Sequence, residues 1–259
     1  MADEIGLYAD ARIYDILHTP GTAEEVDGLV RTEEFCCSAP AKSRLWLEPA
    51  CGTGRYLRVA RARGINCIGF DLSTDMIDYA RTRASRASSN AHERYFVASM
   101  TDFASDLDRP VSFAFNLINT IRHLESDAAM LGHFEHIAQV LSPGGMYAVG
   151  ISLSDYGQEK PSQDVWKGAR GPCRVRQVVR FTPPVRGRKE RVDSQLTVST
   201  PTGKSLHKST YFLRTYSRKQ WLSLIGRSHL RLVETVDPDG SPIPVPEVGY
   251  AVFLLGRGC

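Results

Sequence analysis

Four residues near the start of the chain combine types and spacing that suit ligand chemistry: Glu48, Gly52, Gly54 and Asp71, within LWLEPACGTGRYLRVARARGINCIGFD. Two glycines, two apart, allow a sharp turn that a ligand can approach with no Cβ in the way, and a helix starting just after them presents free N–H groups. Asp71 ends the next apolar run, a place where a carboxylate can accept from two ribose hydroxyls. The purely structural alternative is a tight βα turn with Asp71 as a helix cap. A second polar group, Asn116, Asn119, Arg122 and His123, follows a strongly apolar run. His123, whose ordinary pKa is about 6.5, can take a proton from an incoming hydroxyl or ammonium. Loop and helix-end hydrogen bonds are the structural alternatives for Asn119 and His123.

These side chains act together only if the chain folds their segments to one edge. Apolar runs at 43–48, 66–71, 94–98 and 111–117 read as strands, and helical periodicity at 53–63, 75–87 and 127–141 lies between them. Ser73 or Thr74 and Ser126 are the expected caps. Strands alternating with helices predict an open parallel sheet, which gathers the carboxyl ends of its strands along one side. Arg58, Arg61 and Arg63 are expected on the solvent face of their helix, and His133 and His136 as surface and packing residues.

Glu48, Gly52, Gly54 and Asp71, with the L-x-P-G-G run at 141–145, resemble the class I S-adenosylmethionine-dependent methyltransferases. The dinucleotide fingerprint fits less well, since Cys51 and Thr53 interrupt it and Leu57 stands where glycine or alanine is required. The resemblance implies an α/β fold: a three-layer open twisted sheet of seven strands with an antiparallel last strand, plus an inserted antiparallel β meander. It implies donor contacts from Glu48, Ala50, Gly52, Gly54, Asp71, Leu72, Met76, Ser99, Met100 and Asn116. Ser99 is a departure, because an acid usually stands there. Tyr14 and His123 are the candidate catalytic residues, and Tyr8, Tyr14, Asn119, Arg122, Tyr156, Trp166 and Arg170 the candidate substrate contacts.

The organisation follows in four parts: an N-terminal helical arm at 1–42, the donor-binding core at 43–153, an inserted β lid at 154–215, and a closing helix and strands at 216–259. In the arm, helical spacing runs from Ile5 to His18, and Thr22 with Glu25 predicts a capping box. Residues 154–172 read as a long connection before the meander, which has a turn at Thr202 and Gly203 and serves as a lid or a homodimer contact. A second capping box is expected at Ser217 and Gln220.

Composition narrows the function further. A net charge of +3, from 32 basic and 29 acidic residues, is too balanced to predict nucleic-acid binding. The basic residues crowd into the meander, yet no compact basic and aromatic motif accompanies them, and a wet strand face needs polar residues anyway. No secretory signal and no apolar run of about 18 residues is present, so a cytoplasmic protein without a membrane span is expected. Six scattered cysteines suit reduced thiols, and no cluster has metal-ligand spacing. The reading is methyl transfer from S-adenosylmethionine to nitrogen or oxygen of a small molecule. RNA or peptide methylation, an NAD-linked oxidoreductase and a noncatalytic binding protein are the alternatives.

Overall fold

The computed structural model describes residues 10–38, 44–86 and 93–258. Tyr8 lies outside the described residues. Seven strands form one sheet in the order β10-β11-β5-β4-β1-β2-β3: β1 Leu45–Pro49, β2 Asn66–Asp71, β3 Glu93–Val97, β4 Val111–Asn116, β5 Leu141–Leu153, β10 Leu230–Val236 and β11 Gly249–Arg257. Strands β1 to β5 pair in parallel, whereas β11 runs antiparallel to both β5 and β10. The chain winds outward from β1 to β3 and then returns to place β4 on the other flank of β1. That reversal opens a crevice at the carboxyl ends of β1 and β4, where open α/β sheets bind ligands.

Period-two alternation explains the layers. Trp46, Phe113 and Phe115 face helices α2 (Thr22–Cys36) and α3 (Arg55–Ala62), while Leu45, Leu47 and Ala114 face α5 (Asp127–Val140) and α6 (Arg218–Gly226). Helix α4 (Thr74–Ala84) adds Ile77 and Ala80 to the first layer. Its Ser73 cap, the Ser126 cap of α5 and the Ser217–Gln220 capping box of α6 form as expected.

A second, four-stranded antiparallel sheet, β6 (Ser162–Arg170), β7 (Cys173–Thr182), β8 (Lys189–Thr200) and β9 (Gly203–Arg214), lies in sequence between β5 and α6. Much of the expected connection at 154–172 is therefore strand: β6 pairs with β7 along its whole length. Helix α1 (Ala11–His18) packs Ile16 and Leu17 against Cys173, Val175 and Leu196 of this sheet. The approach is close enough that a Cβ on Gly168 would fall 2.0 Å from the Ile16 carbonyl oxygen.

Other local expectations change for identifiable reasons. Gly21, left-handed at φ 82°, starts α2, and the Thr22 hydroxyl bonds back to the Thr19 carbonyl, so the Thr22–Glu25 capping box does not form. Arg58 and Arg61 are not on a solvent face, because they pair with Asp15 and Glu93 at the edges of the core. His133 is fully buried: its Nδ1 lies 2.8 Å from the Met100 carbonyl and its Nε2 2.9 Å from the Tyr147 hydroxyl. With Nδ1–H donated to Met100, Nε2 of the neutral ring is an acceptor. The single Tyr147 proton then serves either His133 or Asn116 Oδ1, 2.7 Å away.

Burial pushes the His133 pKa down to about 4, whereas the unfolded ring titrates near 6.5. Between those values the unfolded chain binds a proton that the folded chain refuses, so stability falls as pH falls, by about 1.4 kcal/mol per pH unit for this group. Thermal unfolding should show a lower midpoint at pH 5 than at pH 7.5. A His133→Gln variant, less stable at both values, should show a smaller difference between them.

Candidate functional site

The crevice contains two cavities. The larger, about 640 Å³, lies over the ends of β2 and β3 and is lined by Asp71, Leu72, Met76, Ser99, Met100 and Leu124, among others. The smaller, about 330 Å³, lies between core and lid: Glu48 and residues 116–120 come from the core, His18 from α1, and Asp164, Trp166, Phe181 and Tyr211 from the second sheet. Tyr14, Ala50, Thr120 and His123 line both. They form a wall common to the two cavities.

Asp71 anchors the larger cavity. Its Oδ2 accepts from the Gly52 N–H at 2.8 Å and its Oδ1 from the Ser73 N–H at 2.9 Å, which fixes the carboxylate while each oxygen keeps a further lone pair for a ligand hydroxyl. Ser99 is hydrogen-bonded to Thr101, and Met100 has its carbonyl held by His133. Leu72, exposed, and Met76, buried, supply apolar surface. An adenosine fits this donor set: apolar surface for the base, a carboxylate for the ribose and fixed polar groups at the rim.

Of the two glycines, Gly52 faces this cavity and Gly54 does not. A Cβ on Gly52 would lie 3.3 Å from the Tyr14 ring, and one on Gly54 2.5 Å from the Tyr95 hydroxyl. The smooth turn thus makes room for two tyrosines, and Gly54 serves packing. Among the described residues the non-glycine positions with positive φ are Ala50, Ile118 and Asn119, and all three line the smaller cavity. Backbone strain is concentrated where the cavities are built.

Burial sets the protonation of the shared wall. His123 is exposed where it lines the cavities; the desolvation imposed by the surrounding protein and the neighbouring Arg122 charge depress its pKa, against the pull of Asp71. It stays neutral at neutral pH and stacks on Tyr211 of the lid at 5.8 Å. Tyr14 is driven up to about 12 by burial, with Arg55 opposing, so it keeps its proton. His18, depressed to about 3 by burial and by Arg55, is also neutral, and its Nε2 has no hydrogen-bond partner. Glu48 has a buried, unpartnered Oε2, and burial raises its carboxyl well above the usual range.

The expected substrate contacts divide. Trp166 lines the smaller cavity, edge-on to His18 at 5.2 Å, and Asn119 borders it while its amide clamps Ser152. Asn116 also borders it, but its amide bonds the Pro49 carbonyl and the Tyr147 hydroxyl. Arg122, Tyr156 and Arg170 line neither cavity. Arg122 is buried against Glu190 and the Arg214 carbonyl, Tyr156 bonds Thr215 and Gln220, and Arg170 bonds Asp15 and Tyr79. Each satisfies a partner on another element, which explains polar residues in a stretch that otherwise suggests a binding surface. Residues 14–18, YDILH, carried the signal for the missed His18 and Asp15: two polar side chains on the inward side of an amphipathic helix.

Among the described residues no helix is long and apolar enough to cross a membrane, and no group of His, Cys, Asp and Glu could hold a metal. The sequence pattern of the methyltransferase domain family matches residues 47–145. No curated protein matches by sequence. Among solved structures, an S-adenosylmethionine-dependent methyltransferase from Clostridium acetobutylicum superposes with a TM-score of 0.75 at 14% identity, covering 96% of this chain and 98% of the other. DesVI of Streptomyces venezuelae gives 0.72 at 22%, with 94% and 97% covered. An amino pentose methyltransferase from Micromonospora echinaspora, with S-adenosylmethionine bound, gives 0.64 at 19%, with 91% and 89% covered. Residues 47–145 thus match the methyltransferase domain family, and the chain has, over nearly its whole length, the fold of the class I S-adenosylmethionine-dependent methyltransferases.

Proposed function

We propose that this chain transfers a methyl group from S-adenosylmethionine to an amine of a small-molecule acceptor. The observation that carries the reading is the wall of Tyr14, Ala50, Thr120 and His123 shared by two chemically different cavities. Asp71 would hold the ribose, Leu72 and Met76 the adenine faces, Ser99 and the Met100 backbone its edge, and Glu48, Ala50 and Gly52 the methionine end. When bound, the donor supplies a methyl group already activated on a sulfonium, so alignment is most of what the protein must provide.

The acceptor cavity favours a cation. Glu48 and Asp164 line it together with the rings of Trp166, Phe181 and Tyr211, while Arg55, a cation in its wall, is engaged by Glu25. Carboxyls and aromatic faces attract an ammonium, and an ammonium beside Glu48 would favour that carboxyl's ionised form. The solved amino pentose methyltransferase acts on a small amine by its name, which agrees with this class. His123, neutral and facing both cavities, takes the proton that the amine must lose; Tyr14, protonated, shapes the wall and donates a hydrogen bond. A cytoplasmic setting belongs to the same proposal, supported by free thiols at Cys36, Cys37, Cys51, Cys67 and Cys173. So does a homodimer contact at the outer face of the lid, where Val165, Leu206 and Phe212 are exposed.

Calorimetric titration should show S-adenosylmethionine and S-adenosylhomocysteine binding and NAD not binding. Asp71→Ala should weaken both sulfur nucleosides about 10- to 100-fold through two lost charge-assisted bonds. Failure of either nucleoside to bind would overturn the proposal. With an amine acceptor found by labelled-methyl transfer, His123→Ala should lower kcat by about 100-fold or more with donor affinity retained. The native enzyme's rate should fall as pH drops below the depressed His123 pKa, under 6.5, because the base becomes protonated. The variant should lack that limb of the profile.

A further inference from the structure

Asp15 is fully buried, lines neither cavity, and has every acceptor position filled. Its Oδ1 accepts from the Thr53 hydroxyl at 2.9 Å and from Arg58 at 2.5 Å; its Oδ2 accepts from the Tyr79 hydroxyl at 3.0 Å and from Arg170 at 2.6 Å. Arg170 also donates to the Tyr79 hydroxyl at 2.8 Å, which closes a ring of three side chains. The donors come from four places: the turn after β1, α3, α4 and the last residue of β6. Core and lid are thereby joined at one carboxylate carried by the arm.

What flanks this carboxylate matters for the reaction. Tyr14, the preceding residue, lies over Gly52 and borders both cavities. Trp166, on the strand that Arg170 ends, forms part of the acceptor wall. A donor under the arm and an acceptor under the lid are therefore each next to an element that Asp15 holds.

We propose that Asp15 is a positioning residue that couples the two sites: ordering of α1 over the bound donor is passed through the Asp15–Arg170 pair to β6, so the acceptor wall is set only when the donor is in place. This inference rests on the larger cavity being the donor site. Its consequence is ordered binding, donor first.

Hydrogen exchange on the full chain, with and without S-adenosylhomocysteine, reads the coupling without needing the acceptor. In the native chain the nucleoside should slow exchange in both Ala11–His18 and Ser162–Arg170. Arg170→Met, which alters a partly exposed side chain, should keep nucleoside affinity within about 5-fold and keep the protection of Ala11–His18, while losing that of Ser162–Arg170. Arg170→Lys should restore part of it. Asp15→Asn should lose both protections; if it does not fold, the Arg170 pair carries the test. Nucleoside binding with Ser162–Arg170 unprotected in the native chain, or equally protected in Arg170→Met, overturns the coupling and leaves the donor site intact. No nucleoside binding at all overturns the donor site and the coupling with it.

Discussion

A buried carboxylate imposes the strongest local constraint in this molecule. Removing Asp15 from water costs several kcal/mol unless its oxygens are fully hydrogen-bonded. Burial alone would raise its pKa; the Arg58 charge and the hydrogen bonds from Arg170, Thr53 and Arg58 outweigh that and hold the carboxyl below the usual range. The arrangement therefore exists only when arm, core and lid are all in place. Helix α1 has eight residues, too few for stability alone, so its position over the Gly52 turn is a product of this carboxylate and of Ile16 and Leu17 against the lid.

Rigidity below the cleft contrasts with that assembled roof. The floor is made of polar groups tied to one another: the Asn116 amide donates to the Pro49 carbonyl across the β1–β4 crevice, the Tyr147 hydroxyl sits between Asn116 Oδ1 and His133 and donates to one of them, and His133 on α5 donates to the Met100 carbonyl. A buried network of this kind fixes one geometry, because losing any member leaves an unsatisfied group in a low-dielectric interior. Left-handed Ala50, Ile118 and Asn119 persist on that support. The roof is held by ion pairs from separate elements, Arg170 to Asp15 and Arg122 to Glu190. The chemistry proposed for the shared wall thus has one face set by the sheet and the other set by the arm and lid.

The lid shows how one sheet serves two environments. On β7, Cys173, Val175, Gln177 and Val179 are buried and Arg174, Arg176 and Arg180 are exposed, so the basic residues that crowd this part of the sequence occupy mainly the wet face. Their abundance reflects solvation of a strand face and does not require a nucleic-acid partner. Lid residues that reach the smaller cavity, Trp166, Phe181 and Tyr211, come from three different strands, and pairing brings them together.

The chain's own sequence determined the core because local rules suffice there: alternating apolar positions, helix caps at Ser73, Ser126 and Ser217, a Gly-bearing turn and an acid at the end of the following strand. Gly52, Asp71 and His123 were placed in the crevice by those rules, since a parallel sheet brings strand ends to one edge, whereas Met76 and Ser99 entered through the family resemblance. Boundaries and partners were decided by tertiary structure. Gly54 faces Tyr95, Arg122 faces Glu190, and Tyr156 and Arg170 bond to groups 59 to 155 residues away in the chain. No periodicity records such pairings, because a polar side chain's sequence neighbourhood is the same whether it meets a ligand or a distant carboxylate. Asp15 illustrates the limit: the helix that carries it is legible in the sequence, whereas the four donors that make it the junction of arm, core and lid meet only in the folded chain.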